Sequence, residues 1–190
     1  YFDKRKKFNG IKLKTSKWIR PPSNTAPTQA KAAGLYMICT LSKHVAEKKI
    51  PVFISTGMAN KQEISEAIDV IQNKGNHDII IMHCITSYPT KPEDANLEII
   101  RSLTKKYPNH VIGYSDHTEG IEIPIAAVAL GAEIIEKHFT LDRSMSGPDH
   151  KFAIEPNDLM LMINQIRDIE CSYGDGLKNG PRKEELEMYE

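Results

Sequence analysis

Short apolar runs alternate with helical patterns along the chain from about residue 50 onward. Each run is four to seven residues long and is bounded by turn-forming or polar residues. Apolar runs of this kind are typical of strands buried on both faces of a parallel sheet. The pattern therefore predicts four strands, over residues 51–55, 79–84, 111–114 and 133–139.

A helix is predicted after each strand. Asn60 with Glu63 three places later forms a capping box, and an apolar stripe over 64–71 follows before Gly75. The order β-α-β-α-β-α-β-α predicts an α/β fold whose crossovers either close into a barrel or form an open doubly wound sheet. The other three helices are predicted over 97–103, over 121–130 and after Pro156.

Composition and charge narrow the class of protein. The 190 residues are 40% hydrophobic and 26% charged, which is typical of a soluble globular domain. Lys plus Arg and Asp plus Glu both number 25, so net charge gives no reason to expect nucleic acid or an anionic membrane as partner. The longest apolar stretch, 121–135, is interrupted by charged residues and a proline and is shorter than the roughly 20 residues of a membrane span.

The cysteines and the N-terminus bear on location. Cys39, Cys84 and Cys171 are widely spaced and form no CxxC pair, which favours reduced thiols and a cytoplasmic protein. Cys84 is interpreted as a small buried hydrophobic residue. Residues 1–35 are basic and contain prolines without the apolar run of a secretory signal, so we expect an arm or truncation remnant.

Polar residues collect where the predicted strands end. The carboxyl ends of parallel strands lie at one rim, which is where functional side chains of α/β folds gather. N-capping of the following helices explains some of the Ser, Thr and Asp residues, so capping alone is the competing interpretation. The four strand ends read STG at 55–57, HCITSY at 83–88, SDHT at 115–118 and KHFT at 137–140.

Two histidines at this rim are candidate metal ligands. His117 and His138 follow consecutive strands, so their imidazoles can converge above the sheet. Two imidazoles with carboxylate and water ligands suit Mn, Fe, Co or Zn, although a His pair at such spacing is often incidental and the surrounding motifs must decide. Asp149, on the loop after the last strand, could complete the metal shell, bind a sugar hydroxyl or cap a local turn.

Glu136 and Lys137 precede His138 on alternating faces of the last strand. A buried Glu beside a cation is a candidate acid or base, and we predict the Glu136–Lys137 pair as catalytic. Alternation along a strand also permits one of the two to face the helices instead.

At these residues the chain resembles the N-acetylneuraminate (sialic acid) synthase family, including the legionaminic and pseudaminic acid synthases. The similarity covers roughly residues 40–180. GYSDHT followed at fixed distance by EKHFTLD and GPDHK is far more specific than a single Gly-rich motif. The matching runs are PVFISTGMA from Pro51, HCITSYPTKPEDANL from His83, IGYSDHTEGIEIPIAAVALGA from Ile112 and IIEKHFTLDRSMSGPDHK from Ile134.

The resemblance implies a (β/α)8 barrel enzyme that condenses phosphoenolpyruvate with an N-acetylated amino sugar such as N-acetylmannosamine, releasing phosphate and forming a nine-carbon 2-keto sugar acid. It implies a divalent metal, Mn²⁺ with Mg²⁺ or Co²⁺ as alternatives, held by His117 and His138 and polarising the sugar aldehyde. The implied substrate contacts are Ser55, Thr86 and Ser115 for phosphoenolpyruvate, and Tyr88 and Asp149 for the amino sugar.

The chain supplies only about the last four βα units of such a barrel, which runs to about 250 residues when complete. We expect residues 36–180 to form this C-terminal half, residues 181–190 to be a charged tail, and the family's antifreeze-like domain to be absent. A catalytically inactive half-barrel that acts as a binding or assembly module, as a homodimer or with a missing barrel half, is the alternative. A synthase with another sugar acceptor is a third reading, against which GYSDHT and GPDHK argue.

Overall fold

The computed structural model describes residues 50–189, and within them the four predicted strands form one parallel sheet. The strands are β1 (Val52–Ser55), β2 (Ile79–Cys84), β3 (Val111–Asp116) and β4 (Ile134–Lys137). Their order in the sheet is their order in the chain. A doubly wound sheet reverses its strand order at a switch point, so this uninterrupted order is that of an arc of a barrel.

Helices separate the strands, as the sequence predicts. Asn60 caps the first helix: its side chain accepts hydrogen bonds from the backbone of Gln62 and Glu63, while the Glu63 carboxylate accepts from the Asn60 backbone at 2.7 Å. Single 3-10 turns cover Pro92–Asp94 and Glu187–Tyr189. The helices are α1 (Lys61–Gln72), α2 (Glu98–Lys106), α3 (Glu122–Ala129), α4 (Pro156–Ser172) and α5 (Lys183–Leu186).

The hydrophobic core lies between the sheet and its helices. Alternate residues of the strands, including Ile81, Ile112 and Tyr114, pack against α1 and α2 through Ile68 and Ile100. Ile81 and Ile100 are fully buried, and each such side chain contributes about 1.5–3 kcal/mol through the hydrophobic effect. This face of the sheet holds the fold together, so the opposite face is the one available for chemistry.

The opposite face, the inner face of the sheet, carries side chains that differ widely in exposure. Phe53 is exposed there, whereas Met82 is buried beside Gly113. A Cβ at Gly113 would overlap the Met82 sulfur and lie 2.9 Å from the Ile134 carbonyl oxygen, so the strand requires glycine at this point.

Two strand ends differ from the predicted limits. β3 continues to Asp116, because Ser115 and Asp116 pair with Glu136 and Lys137 of β4. β4 ends at Lys137, and Phe139 beyond it forms an isolated bridge with Ile154 instead. The predicted arm at 1–35 and Cys39 lie outside the described residues, while the predicted charged tail contains α5. No helix between residues 50 and 189 is long and apolar enough to cross a membrane.

Candidate functional site

The structure brings the two predicted metal ligands together. Because Asp116 and Lys137 are paired in the sheet, the next residue of each strand, His117 and His138, leaves the sheet at the same height. Their ring centroids are 5.3 Å apart and the rings are inclined at 66°. Two imidazoles at this separation can be directed at one common point above the rim.

The backbone fixes the orientation of His117. Its Nδ1 lies 2.8 Å from the Ile85 carbonyl oxygen, so in the neutral ring Nδ1–H donates and Nε2 retains a free lone pair. Burial lowers the pKa of His117, but the Cys84 thiol, the Ile85 carbonyl and the Asp116 carboxylate together raise it above its ordinary value. A cation at Nε2 would therefore compete with a proton for this ring.

His138 is held differently. Its Nδ1 lies 3.7 Å from Oδ2 of Asp149, beyond hydrogen-bond distance, and its side chain is 32% exposed. Burial lowers the pKa of His138 and outweighs the opposing charge of Asp149. The ring is consequently neutral near neutral pH, which is the form that binds metal.

These residues fit a cation with an incomplete protein shell. Within residues 50–189 no three His, Cys, Asp or Glu side chains are grouped so that they could hold a metal ion. Two nitrogen donors leave positions for water or for oxygens of a bound substrate, an arrangement typical of catalytic metals. Two imidazole nitrogens together with exchangeable oxygen ligands suit a borderline divalent metal.

Two aromatic rings form a wall beside the imidazoles. Tyr88, from the loop after β2, has its ring centroid 4.2 Å from that of His117, and Phe152 lies 5.0 Å from His138. Burial raises the pKa of Tyr88, with the neighbouring acidic groups adding to the effect, so its phenol stays a neutral hydrogen-bond donor. Phe152 was not among the predicted site residues, because it belongs to a loop without strand or helix periodicity.

Glu136 and Ser115 lie below the imidazoles on the inner face. They are paired across β3 and β4, and the Ser115 hydroxyl donates to Oε1 of Glu136 at 2.6 Å. Ser115 is 3% exposed, whereas Glu136 is open to the inner face. The hydroxyl therefore orients a carboxylate that a substrate could reach.

Cys84 completes this layer, since it pairs with Ser115 in the sheet. It is buried, as predicted, but its sulfur also lies 3.9 Å from Nδ1 of His117. Burial raises the pKa of the thiol, yet hydrogen bonding to His117, Ser55 and Ser115 lowers it overall. Cys84 is thus a polar member of the rim, which its apolar neighbours in sequence did not indicate.

Ser55 is the exposed last residue of β1, and Thr86 is exposed two residues after the end of β2. The Thr86 hydroxyl stands directly over Gly57, where an added Cβ would overlap it and would also come within 3.1 Å of the Cys84 sulfur. Asp149 is 59% exposed and is close to His138. All the predicted substrate-binding residues therefore belong to the rim or to the inner face beneath it.

The predicted catalytic pair is divided by the sheet. Strand alternation puts Glu136 on the inner face and Lys137 on the helix face. The Lys137 ammonium is buried and lies 2.5 Å from Oδ2 of Asp116. The predicted catalytic role of Lys137 does not agree with this placement, because its charged end is turned away from the cluster that contains Glu136.

A family model described as NeuB family matches residues 30–178. Among curated proteins, an N,N'-diacetyllegionaminic acid synthase of Campylobacter jejuni is 47% identical over 145 residues, which are 75% of this chain and 43% of that protein. The N-acetylneuraminate-9-phosphate synthase of Drosophila melanogaster is 42% identical over 132 residues and 36% of its length. The chain thus spans less than half the length of these relatives.

Solved structures of related proteins are also similar to this chain. The N-acetylneuraminic acid synthetase of Leptospira borgpetersenii is similar with a TM-score of 0.71 and 40% identity, covering 82% of this chain and 54% of that one. A spore coat polysaccharide biosynthesis protein of Bacillus subtilis also gives 0.71, with 41% identity over 78% of this chain and 42% of that one. A truncated 3-deoxy-D-arabino-heptulosonate 7-phosphate synthase of Thermotoga maritima, at 18% identity and 0.56, shares the fold alone.

Proposed function

The chain belongs to the NeuB family, and from that premise we propose that it is the part of a synthase that condenses phosphoenolpyruvate with an N-acetylated amino sugar. The product would be a nine-carbon 2-keto sugar acid, with release of phosphate. The synthases among its relatives are named for products of this class, the sialic, legionaminic and pseudaminic acids.

The observation that carries the proposal is the pairing of His117 and His138 above Glu136. The two rings are 5.3 Å apart, and Glu136 lies two residues before His138 on the same face of β4. A cation site and a carboxylate side by side are what a carbonyl addition needs, because one group polarises the carbonyl and the other moves a proton.

His117 and His138 would hold a divalent cation, Mn²⁺ in the first instance with Mg²⁺ or Co²⁺ as alternatives. Bound there, the cation would supply Lewis acidity toward the sugar carbonyl oxygen. The neutral His138 ring and the free Nε2 of His117 are the donors that support this assignment.

Glu136 is proposed as the acid and base. In the condensation, C3 of phosphoenolpyruvate bonds to the sugar carbonyl carbon as the C2–C3 double bond opens, the carbonyl oxygen gains a proton, and water adds at C2 with loss of a proton. The C2–O bond to phosphate then breaks as C2 becomes the ketone, and the remaining hydroxyl proton leaves with phosphate. One proton taken up thus matches one released. Glu136, oriented by Ser115, is the inner-face carboxylate placed to pass that proton.

Short hydroxyl side chains are proposed to bind phosphoenolpyruvate. Ser55 and Thr86 lie at the rim of the inner face, where their hydroxyl groups can donate to phosphate and carboxylate oxygens. Ser115 is the third residue assigned to phosphoenolpyruvate, and its one hydroxyl proton must leave Glu136 to be donated there. Tyr88 and Asp149 are assigned to the amino sugar: the phenol and the exposed carboxylate flank the His138 ring and suit sugar hydroxyl and amide groups.

Phosphate release from phosphoenolpyruvate tests the proposal. The purified full-length protein should release phosphate only when N-acetylmannosamine, or a related N-acetylated sugar, and Mn²⁺ are both present. Mass spectrometry should find the nine-carbon 2-keto acid. Mn²⁺ binding without turnover would favour the inactive binding module, and turnover with a sugar lacking an N-acetyl group would redirect the acceptor assignment.

A cytoplasmic location and a homodimer, or pairing with a second barrel half, belong to the same proposal. The widely spaced cysteines without a CxxC pair support the location. Within residues 50–189 the arc of four strands has two edges that a complete barrel would pair. The mass of the full-length protein in solution tests the assembly.

A further inference from the structure

A buried ion pair lies directly behind the two imidazoles, on the helix face of the sheet. Lys137 Nζ is 2.5 Å from Oδ2 of Asp116, and the two side chains are 4% and 0% exposed. The residues are direct partners across β3 and β4, so their side chains leave the sheet side by side. This pair joins the two strand ends that deliver His117 and His138.

Thr118 forms hydrogen bonds with both members of the ion pair. Oδ1 of Asp116 accepts from the backbone N–H of Thr118 at 2.9 Å and from its hydroxyl at 2.8 Å. Lys137 Nζ also donates to the Thr118 carbonyl oxygen at 2.6 Å. Three residues, all buried at their charged or polar ends, therefore form a closed ring of hydrogen bonds.

This ring encloses the backbone on which the imidazoles depend. His117 lies between Asp116 and Thr118 in the chain, and His138 follows Lys137. Because Asp116 and Thr118 both accept hydrogen bonds from Lys137, the backbone of His117 is held on either side. It is thereby fixed relative to β4, the strand that His138 follows. The imidazoles themselves lie on the inner face, so no member of the ring is turned toward them.

Stability alone does not explain the buried Asp116–Lys137 pair. Two buried charges lose their hydration, and apolar side chains of similar volume often stabilise a fold equally well. At the preceding helix-facing positions of these strands, Ile112 and Tyr114 belong to the hydrophobic core and Ile135 packs against it. Charge appears on this face only at the height of the rim.

We propose that Asp116 and Lys137 are positioning residues that set the spacing of His117 and His138, and thereby the affinity of the rim for a divalent cation. The assignment rests on the proposed metal site, and it gives Lys137 a role without contact with substrate. A side chain tied to Asp116 and Thr118 acts through the backbone rather than on the reacting atoms.

The test replaces the pair by apolar residues of similar volume, Asp116→Leu/Lys137→Met, in the full-length protein. The variant should keep its far-ultraviolet circular dichroism and a melting temperature near that of the parent, while Mn²⁺ affinity by calorimetry falls about tenfold, the lower end for loss of an outer-shell partner. With phosphoenolpyruvate and sugar saturating, kcat should fall more than KM rises. Parental affinity and kcat in a folded variant would overturn the assignment.

Two further variants keep the test decisive. Arg167→Gln/Glu170→Gln removes an exposed ion pair, 68% and 43% exposed on α4, and should change neither Mn²⁺ affinity nor kcat. If the apolar replacement does not fold, Asp116→Asn/Lys137→Met keeps the Oδ1 acceptor for Thr118 and removes every bond of Lys137 without leaving a buried charge unpaired. It should also weaken Mn²⁺ binding about tenfold, the lower end of outer-shell effects, and unchanged affinity would again contradict the proposal.

Metal-free protein separates this inference from the proposed function. Imidazole ¹⁵N resonances of His117 and His138 should shift in the apolar variant, while that of His77, at the other end of β2, should not. If the parent protein binds no Mn²⁺, the proposed function fails and these resonances alone decide the positioning role. Unchanged His117 and His138 signals would reject it.

Discussion

Ser115 donates a hydrogen bond to Glu136 across neighbouring strands, with 2.6 Å between Oγ and Oε1. The serine is buried, and the carboxylate is exposed on the inner face. A hydrogen bond to a charged group is worth about 1.5–3 kcal/mol, enough to hold a carboxylate in one orientation. Under the proposed function, this relationship prepares the acid and base for its substrate.

Ser115→Ala should therefore lower kcat about 10- to 100-fold, the equivalent of that hydrogen bond. Because Ser115 is also assigned to phosphoenolpyruvate, KM for that substrate should rise as well. Steady-state kinetics of phosphate release measure both effects. Ser172→Ala, which removes a hydroxyl near the end of α4, is the matched control and should leave both constants unchanged. A kcat equal to that of the parent would show that the hydrogen bond from Ser115 does not prepare Glu136 for catalysis.

His117→Ala and His138→Ala should each abolish Mn²⁺ binding at micromolar concentrations, since either change removes one of the two imidazoles that meet at this rim. Calorimetric titration with Mn²⁺ gives the affinity directly. His77→Ala, an exposed histidine just before β2, should bind as the parent does. Undiminished affinity in both rim variants would end the metal assignment.

Gly57→Ala should weaken phosphoenolpyruvate binding more than it weakens the fold. The new Cβ would overlap the Thr86 hydroxyl, which must turn away, and it would crowd the Cys84 sulfur at 3.1 Å. Thr86 is exposed and can rotate, so the free energy of unfolding should fall by only about 1 kcal/mol.

Kinetics and chemical denaturation separate these two effects. Removing the hydroxyl in Gly57→Ala/Thr86→Ala should restore stability but not KM for phosphoenolpyruvate. A large loss of stability in the single variant, or an unchanged KM, would show that the Gly57–Thr86 contact serves packing rather than binding.

His83 should make stability depend on pH. It is buried and its Nε2 lies 2.8 Å from the Ala95 carbonyl oxygen, and burial lowers its pKa below the ordinary 6.5 despite that hydrogen bond. The unfolded chain then binds the proton more readily than the folded one. Stability is therefore full above about pH 6.5 and is lost as pH falls from that value through the folded pKa.

The comparison of melting temperatures at about pH 7.5 and about pH 5.5 tests this. The difference should be smaller in His83→Gln, which keeps an amide donor for Ala95 but does not titrate. Burial also lowers the pKa of His110, so His110→Gln reports its separate share. His117, with a raised pKa, contributes in the opposite direction in parent and variants alike. Equal differences in the parent and His83→Gln would contradict the assignment.

The elements and the position of the polar rim could be predicted from the chain, because both follow from local rules. The capping box at Asn60 and the apolar runs give α1 and the strands, and parallel strands deliver their ends to one rim. The convergence of His117 and His138 follows from that rule, and their role as metal ligands stays a prediction. The (β/α) barrel predicted from the family resemblance agrees with the fold and with the solved relatives.

What the sequence left open depends on contacts distant in the chain. Alternation could not say which of Glu136 and Lys137 faces the helices, because that depends on the register with β3. The sequence predicts Cys84 to be a buried hydrophobic residue, because the polar side chains around it, Ser55, Ser115 and His117, come from other parts of the chain. Phe152 reaches His138 only because its loop folds back over the rim.

That returning loop has a consequence of its own. The bridge between Phe139 and Ile154 brings its two ends together, and Arg143 ties it to Asp158 of α4 at 2.9 Å. Residues 144–146 are exposed and lie outside these contacts, ahead of the GPDHK run. Natural variation or grafting can therefore lengthen or rewrite that stretch as an interchangeable cassette, while the strands beneath it keep their register.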